Sequence, residues 1–104
     1  KSDRELHHFV TGELRFRILQ IVLQHTEQFP TEREISQFLP RDALEDVAAR
    51  LQELVDEKIV RPVTLAESKR REGYPHTFYG VTDYGWRFLI SHNLLDSDRS
   101  VLRW

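Results

Sequence analysis

The chain has 104 residues, enough for one domain around one core. A domain of this size buries roughly 65% of its unfolded surface and folds without staples, and the absence of cysteine excludes disulfides and thiolate metal sites. A net charge of −2 and a pI near 6.2 exclude the uniformly basic surface that grips phosphate, so local clusters must supply any nucleic-acid contact.

No apolar run approaches the roughly 20 residues of a membrane span. The cysteine-free composition fits a cytoplasmic protein. The chain begins at Lys1 and contains no Met, so the natural N-terminus, with any targeting segment, is expected to lie upstream. Residues 1–11 are polar and mixed in charge, and they read as a loose N-terminal arm. The pair His7-His8 is a poor chelate, because neighbouring helical positions point about 100° apart.

Gly12 to His25 reads as the first solid helix. Leu14, Ile18, Ile21 and Val22 form a stripe, and Phe16, Leu19 and Leu23 widen it until most of the circumference is apolar. Phe29 precedes a second helix at Thr31–Leu39, with hydrophobic-staple spacing to Ile35. Thr31 and Glu34 form a capping box, in which the hydroxyl takes the Glu34 amide and the carboxylate reaches back to the Thr31 amide. Asp42 and Glu45 repeat that pattern before a third helix at Ala43–Lys58, and Pro40 bars continuation of the second. Leu44, Val47, Ala48, Leu51, Leu54 and Val55 mark the third helix's inner stripe.

After Lys58 the period changes. Ile59–Leu65 is rich in β-branched residues and reads as a strand, with Pro62 confined to an edge or bulge. Ala66–His76 reads as a loop carrying Lys69-Arg70-Arg71, and Thr77–Val81 as a second strand. Thr82 caps a last helix that ends near His92-Asn93, with Tyr84, Phe88 and Leu89 on one face. The predicted core is Leu14, Ile18, Val22, Ile35, Leu39, Leu44, Val47, Leu51, Leu54, Ile59, Val81, Phe88 and Leu89. The tail, 94–104, carries exposed-looking Leu95, Val101, Leu102 and Trp104, large apolar groups that suggest a missing partner, and Leu94, Leu95 and Trp104 are its candidates for a homodimer interface.

Two helices across a tight turn, followed by a hairpin, make an α+β winged helix-turn-helix over residues 12–93. Specific residues then carry a family resemblance. Leu44–Arg61 resembles the recognition-helix-and-strand segment of small prokaryotic winged-helix transcription regulators of the MarR, ArsR and PadR type. The run Phe78-Tyr79-Gly80-Val81-Thr82-Asp83-Tyr84-Gly85-Trp86-Arg87-Phe88-Leu89 is similar to the strand-to-helix signature of those families. The likeness extends from Leu14 to about His92, and the whole resembles archaeal regulators of this class. It implies a sequence-specific DNA-binding regulator with double-stranded DNA as partner; no cofactor and no effector are assigned. A homodimer is expected from the first helix, the last helix and the tail, which carry more apolar side chains than one small core needs. Two departures stand out. Val47 is followed by Ala48-Ala49 where those families carry a polar pair, and Lys58 stands where they turn on a Gly.

The outward side of the third helix is acidic. From Asp42 to Lys58 there are six acids and two bases, a net of −4. Carboxylates repel the phosphate ladder, so two readings stand: a solvated face, or a groove-reading helix using few side chains. Ala43, Asp46, Ala49 and Arg50 are its candidate DNA-facing residues, with Asp46 expected to pair with Arg50 four residues on. Lys69, Arg70 and Arg71 are candidate phosphate contacts at the wing, and Arg33, Arg41 and Arg61 surround the same surface. No nucleophile–base motif, glycine-rich phosphate loop or metal-ligand spacing is present, which argues against an enzyme. The runner-up is a winged helix used for protein contacts, favoured by the acidic helix face.

Overall fold

A computed structural model of the chain describes residues 2–25, 28–69, 73 and 76–94. The elements run α1 (Asp3–Val10), α2 (Glu13–Gln24), α3 (Glu32–Gln37), α4 (Leu44–Asp56), β1 (Val60–Thr64), β2 (Thr77–Val81) and α5 (Asp83–Ser91), with a 3-10 turn at Glu67–Lys69. This is a winged helix-turn-helix of the α+β class, with α3 and α4 as the helix pair and β1–β2 as the wing hairpin.

The expected loose start is instead a helix. The Ser2 hydroxyl accepts from the Glu5 amide and caps α1. Leu6, Phe9 and Val10 are buried in the core. Local propensity did not signal this helix, because its stability comes from the apolar face it docks on the body. α2 follows with Phe16, Ile18, Leu19, Ile21, Val22 and Leu23 all buried. A helix apolar on most sides belongs at the centre, and α1, α3, α4 and β2 all pack against it.

Both hydrogen bonds of the capping box on α3 are present: Glu34 N–H to Thr31 Oγ1 at 3.2 Å, and Thr31 N–H to Glu34 Oε1 at 3.1 Å. The repeat of that device at α4 does not form. The N-cap is Ala43, with no side-chain hydrogen bond. Asp42 turns instead toward Arg17, whose Nη1 lies 3.8 Å from Asp42 Oδ2. Val47, Leu51 and Leu54 are the buried stripe of α4. Leu44, expected in the core, is 48% exposed, because its first-turn position projects past the packed part of the stripe. Leu14 and Val81 are only partly buried against the core.

α4 and α5 end in the same way. Lys58 has φ 64°, its N–H reaches Val55 O at 2.9 Å and the Ile59 N–H reaches Leu54 O at 3.0 Å. Asn93 has φ 55°, its N–H reaches Ile90 O at 3.0 Å and the Leu94 N–H reaches Leu89 O at 2.9 Å. These are Schellman turns, in which a left-handed residue frees two amides to satisfy orphan carbonyls. Each turn delivers an apolar residue inward, Ile59 in one and Leu94 in the other, and both are buried. Leu94 therefore belongs to the core and not to an exposed tail. Leu95 and Trp104 lie outside the described residues.

The hairpin is antiparallel, with Val60 opposite Val81 and Pro62 opposite Tyr79. The Tyr79 N–H also donates to Pro30 O at 2.9 Å, so β2 has backbone partners on both sides and β1 carries the edge. Pro62, which has no N–H to give, sits on that edge strand. Thr82 joins the hairpin to α5. Its hydroxyl accepts from the Gly85 N–H at 2.8 Å and donates to Lys58 O at 2.5 Å. Gly85 is required there, since a Cβ would collide with the Ile59 carbonyl oxygen.

Candidate nucleic-acid interface

The joint between α3 and α4 runs from Phe38 to Ala43 and leaves its outer side in solvent. Arg33 on α3, Arg41 in the turn and Arg61 on β1 are exposed, and none of the three forms an ion pair among the described residues. A cleft lined by Thr31, Glu32, Arg33, His76, Thr77 and Tyr79 sets Arg33 beside the root of the wing. Burial raises the Tyr79 phenol above its usual range, and the Glu32 carboxylate adds to the rise.

On α4 the exposed side chains are Leu44, Glu45, Asp46, Ala49, Gln52 and Asp56, with Ala43 exposed at the cap. No cation is among them. Arg50, half-buried beside this face, is held by Glu53 and not by Asp46, which overturns the expected i,i+4 pair. Glu53 also accepts from Arg15 Nη1 at 3.2 Å. The Arg15 guanidinium lies over the Phe9 ring, 4.3 Å from its centroid, and its Nε donates to Phe9 O at 2.7 Å. Glu53 thus joins α4 to α2, and through Arg15 to α1. Sequence spacing favoured Asp46 because four-residue pairs are common on helices. The tertiary cation on α2 that recruits Glu53, three residues from Arg50, has no local signature.

The wing is described in part. Lys69 closes the 3-10 turn Glu67–Lys69, and the Leu65 N–H bonds to His76 O at 2.9 Å at the base of the loop. Arg70 and Arg71 lie outside the described residues. Three of the histidines, His7, His25 and His92, make ring contacts. His92 stacks on Phe88 with centroids 4.2 Å apart and faces His7 at 5.3 Å, and His25 packs on Phe38 at 5.2 Å. Among the described residues no group of three His, Asp or Glu side chains is placed to hold a metal ion. No helix among them is long and apolar enough to cross a membrane.

Known proteins share this architecture. No family model and no curated protein matches the sequence. The fold is similar to that of a protein with a GntR superfamily winged-helix-turn-helix domain from Halomicrobium mukohataei, with a TM-score of 0.78 and 26% identity over 88% of this chain. The chain spans 64% of that protein's length. It is also similar in fold to diamide-treated YodB from B. subtilis, with a TM-score of 0.64 and 18% identity, covering 96% of this chain and 93% of that one.

Proposed function

We propose that the chain is the DNA-binding part of a sequence-specific transcription regulator, non-enzymatic, prokaryotic and of the archaeal kind. α4 enters the major groove, and the wing carrying Lys69, Arg70 and Arg71 lies on the adjacent backbone. Arg33, Arg41 and Arg61 hold phosphates around that surface. The protein acts in the cytoplasm as a homodimer, on double-stranded DNA. The observation that carries this reading is the exposure of those three arginines on α3, its turn and β1, free of ion pairs among the described residues, in a winged helix-turn-helix. Exposed cations grouped around an acidic helix give the local positive field that attracts a phosphate backbone.

Assembly rests on α5 more than on α2. The apolar residues of α2 are taken up by the core, whereas Tyr84 and Ile90 on α5 stay exposed. A second reading has one observation of its own: Phe38 is 58% exposed at the rim of a groove floored by Phe16, Ile21 and Leu39, which suits a protein partner. A titration of random duplex DNA at several salt concentrations separates the two. Log affinity should fall linearly with log salt. Replacing Lys69, Arg70 and Arg71 by Ala should flatten that slope by roughly 0.9 for each phosphate no longer neutralised. Absence of binding at low salt leaves the protein-contact reading.

A further inference from the structure

The side chains that read guanine and adenine by paired hydrogen bonds are Arg, Lys, Asn and Gln. Between Leu44 and Asp56 there is one Arg and one Gln, and no Lys or Asn. Both are engaged within the chain. Arg50 is in contact with Glu53, which is itself fixed by Arg15. Gln52 donates through Nε2 to Asp56 Oδ1 at 2.8 Å. Each of the two thus has a carboxylate of the same helix beside it.

What the first half of α4 leaves free is of another kind. Ala43, Leu44 and Ala49 offer exposed methyl groups, and Glu45 and Asp46 offer exposed carboxylates. Leu44 is half exposed at the first position of the helix, where the fold makes little use of it. Carboxylates accept hydrogen bonds and cannot donate them. In the major groove, thymine presents a C5 methyl and cytosine an N4 amino donor, whereas adenine's N6 donor stands beside the N7 acceptor, which a carboxylate cannot satisfy.

We infer that α4 reads pyrimidine edges, setting thymine methyls against Leu44 and Ala49 and cytosine amino groups against Glu45 or Asp46, while Glu53 withholds Arg50 from guanine. This rests on the reading of α4 as the helix that enters the groove. The carboxylates then act mainly by rejection. A base edge with only acceptors leaves them desolvated and unpaired, so wrong sites are penalised more than right ones are rewarded. Arg33, Arg41, Arg61 and the wing supply the attraction that offsets their repulsion from phosphate.

The test selects duplexes from a random pool with the wild-type chain at low salt, then measures affinity for the selected site with thymine replaced by uracil position by position. Removing one buried methyl should weaken binding about fourfold. Leu44→Ala should erase the thymine–uracil difference at one position while leaving it at others, which a purely structural role for Leu44 would not do. Glu53→Gln should release Arg50 and move the selected site toward guanine. A site whose discrimination lies in guanines, abolished in Arg50→Ala and kept in Leu44→Ala, would overturn the inference while leaving DNA binding intact. Binding without sequence preference would overturn it equally. A wild-type chain that binds no duplex at low salt would overturn the groove reading and this inference with it.

Discussion

α2 and α4 are close in length and are packed against one another, yet they are built for opposite ends. α2 buries six apolar side chains around most of its circumference. α4 buries three, on one stripe, and turns carboxylates and small apolar groups to solvent. The difference teaches where stability and presentation separate in a small domain. A helix apolar on most sides spends most of its surface on the core, and a helix with one buried stripe keeps more than half its surface for solvent or a ligand. Glu53 marks the boundary, being the point at which α4's acidic side is tied back to the cation on α2.

The largest effects should come from the buried side of this comparison. Phe16→Ala on α2 should cost about 3–5 kcal/mol and Leu51→Ala on α4 about 2–5 kcal/mol in denaturant unfolding, since both sites are closed and leave cavities. Near-neutral values at Leu51 would mean that α4 is not anchored by its inner stripe. An intermediate gain is expected at the α4 N-terminus. Ala43→Ser supplies the missing cap and should raise stability by about 1 kcal/mol, while the exposed end it modifies contributes nothing to the core. Smaller still, Leu44→Ala should shift stability by no more than about 0.5 kcal/mol, as an exposed substitution does. A large destabilisation there would place Leu44 with the core and undo the division.

The last effect concerns the wing root and alkali. Tyr79 titrates above the 10.0 of a free tyrosine because burial, and then Glu32, oppose its ionised form. A raised folded value stabilises the fold fully below pH 10, and that contribution is lost as pH rises through the folded value. Unfolding followed across this range should show wild type losing stability that Tyr79→Phe does not lose. Identical alkaline profiles would detach Tyr79 from the folded scaffold.

Much of the fold was legible in the sequence, and particular residues say why. The capping box Thr31–Glu34, the strand Thr77–Val81 and the cap at Thr82 are local devices, written in a few consecutive positions; the left-handed turn at Lys58, where a Gly was expected, was not. The helix α1 was not legible, because a short mixed-charge segment becomes helical only when Leu6, Phe9 and Val10 find the body. Asp42 looked like a cap, but α4 starts one residue later with Ala43 as its N-cap, so the Asp42 carboxylate is not placed to cap it and lies near Arg17 instead. Leu94 read as a dimer-interface residue because its burial in the core depends on a left-handed Asn93 that the apolar pattern does not announce. At the candidate site, the residue types were readable and their engagements were not. Arg50 looked paired to Asp46, and its true partner, Glu53, is chosen by a cation on another helix.

The most direct measurement is a residue-by-residue map of backbone amide shifts as a short duplex is added at low salt. Perturbations should concentrate on Arg33, Arg41, the exposed positions between Ala43 and Ala49, Arg61 and the loop between β1 and β2, with the amides of α2 nearly unmoved. Perturbations centred on Phe16, Ile21 and Phe38, or an unchanged map at every duplex concentration, would contradict the groove reading.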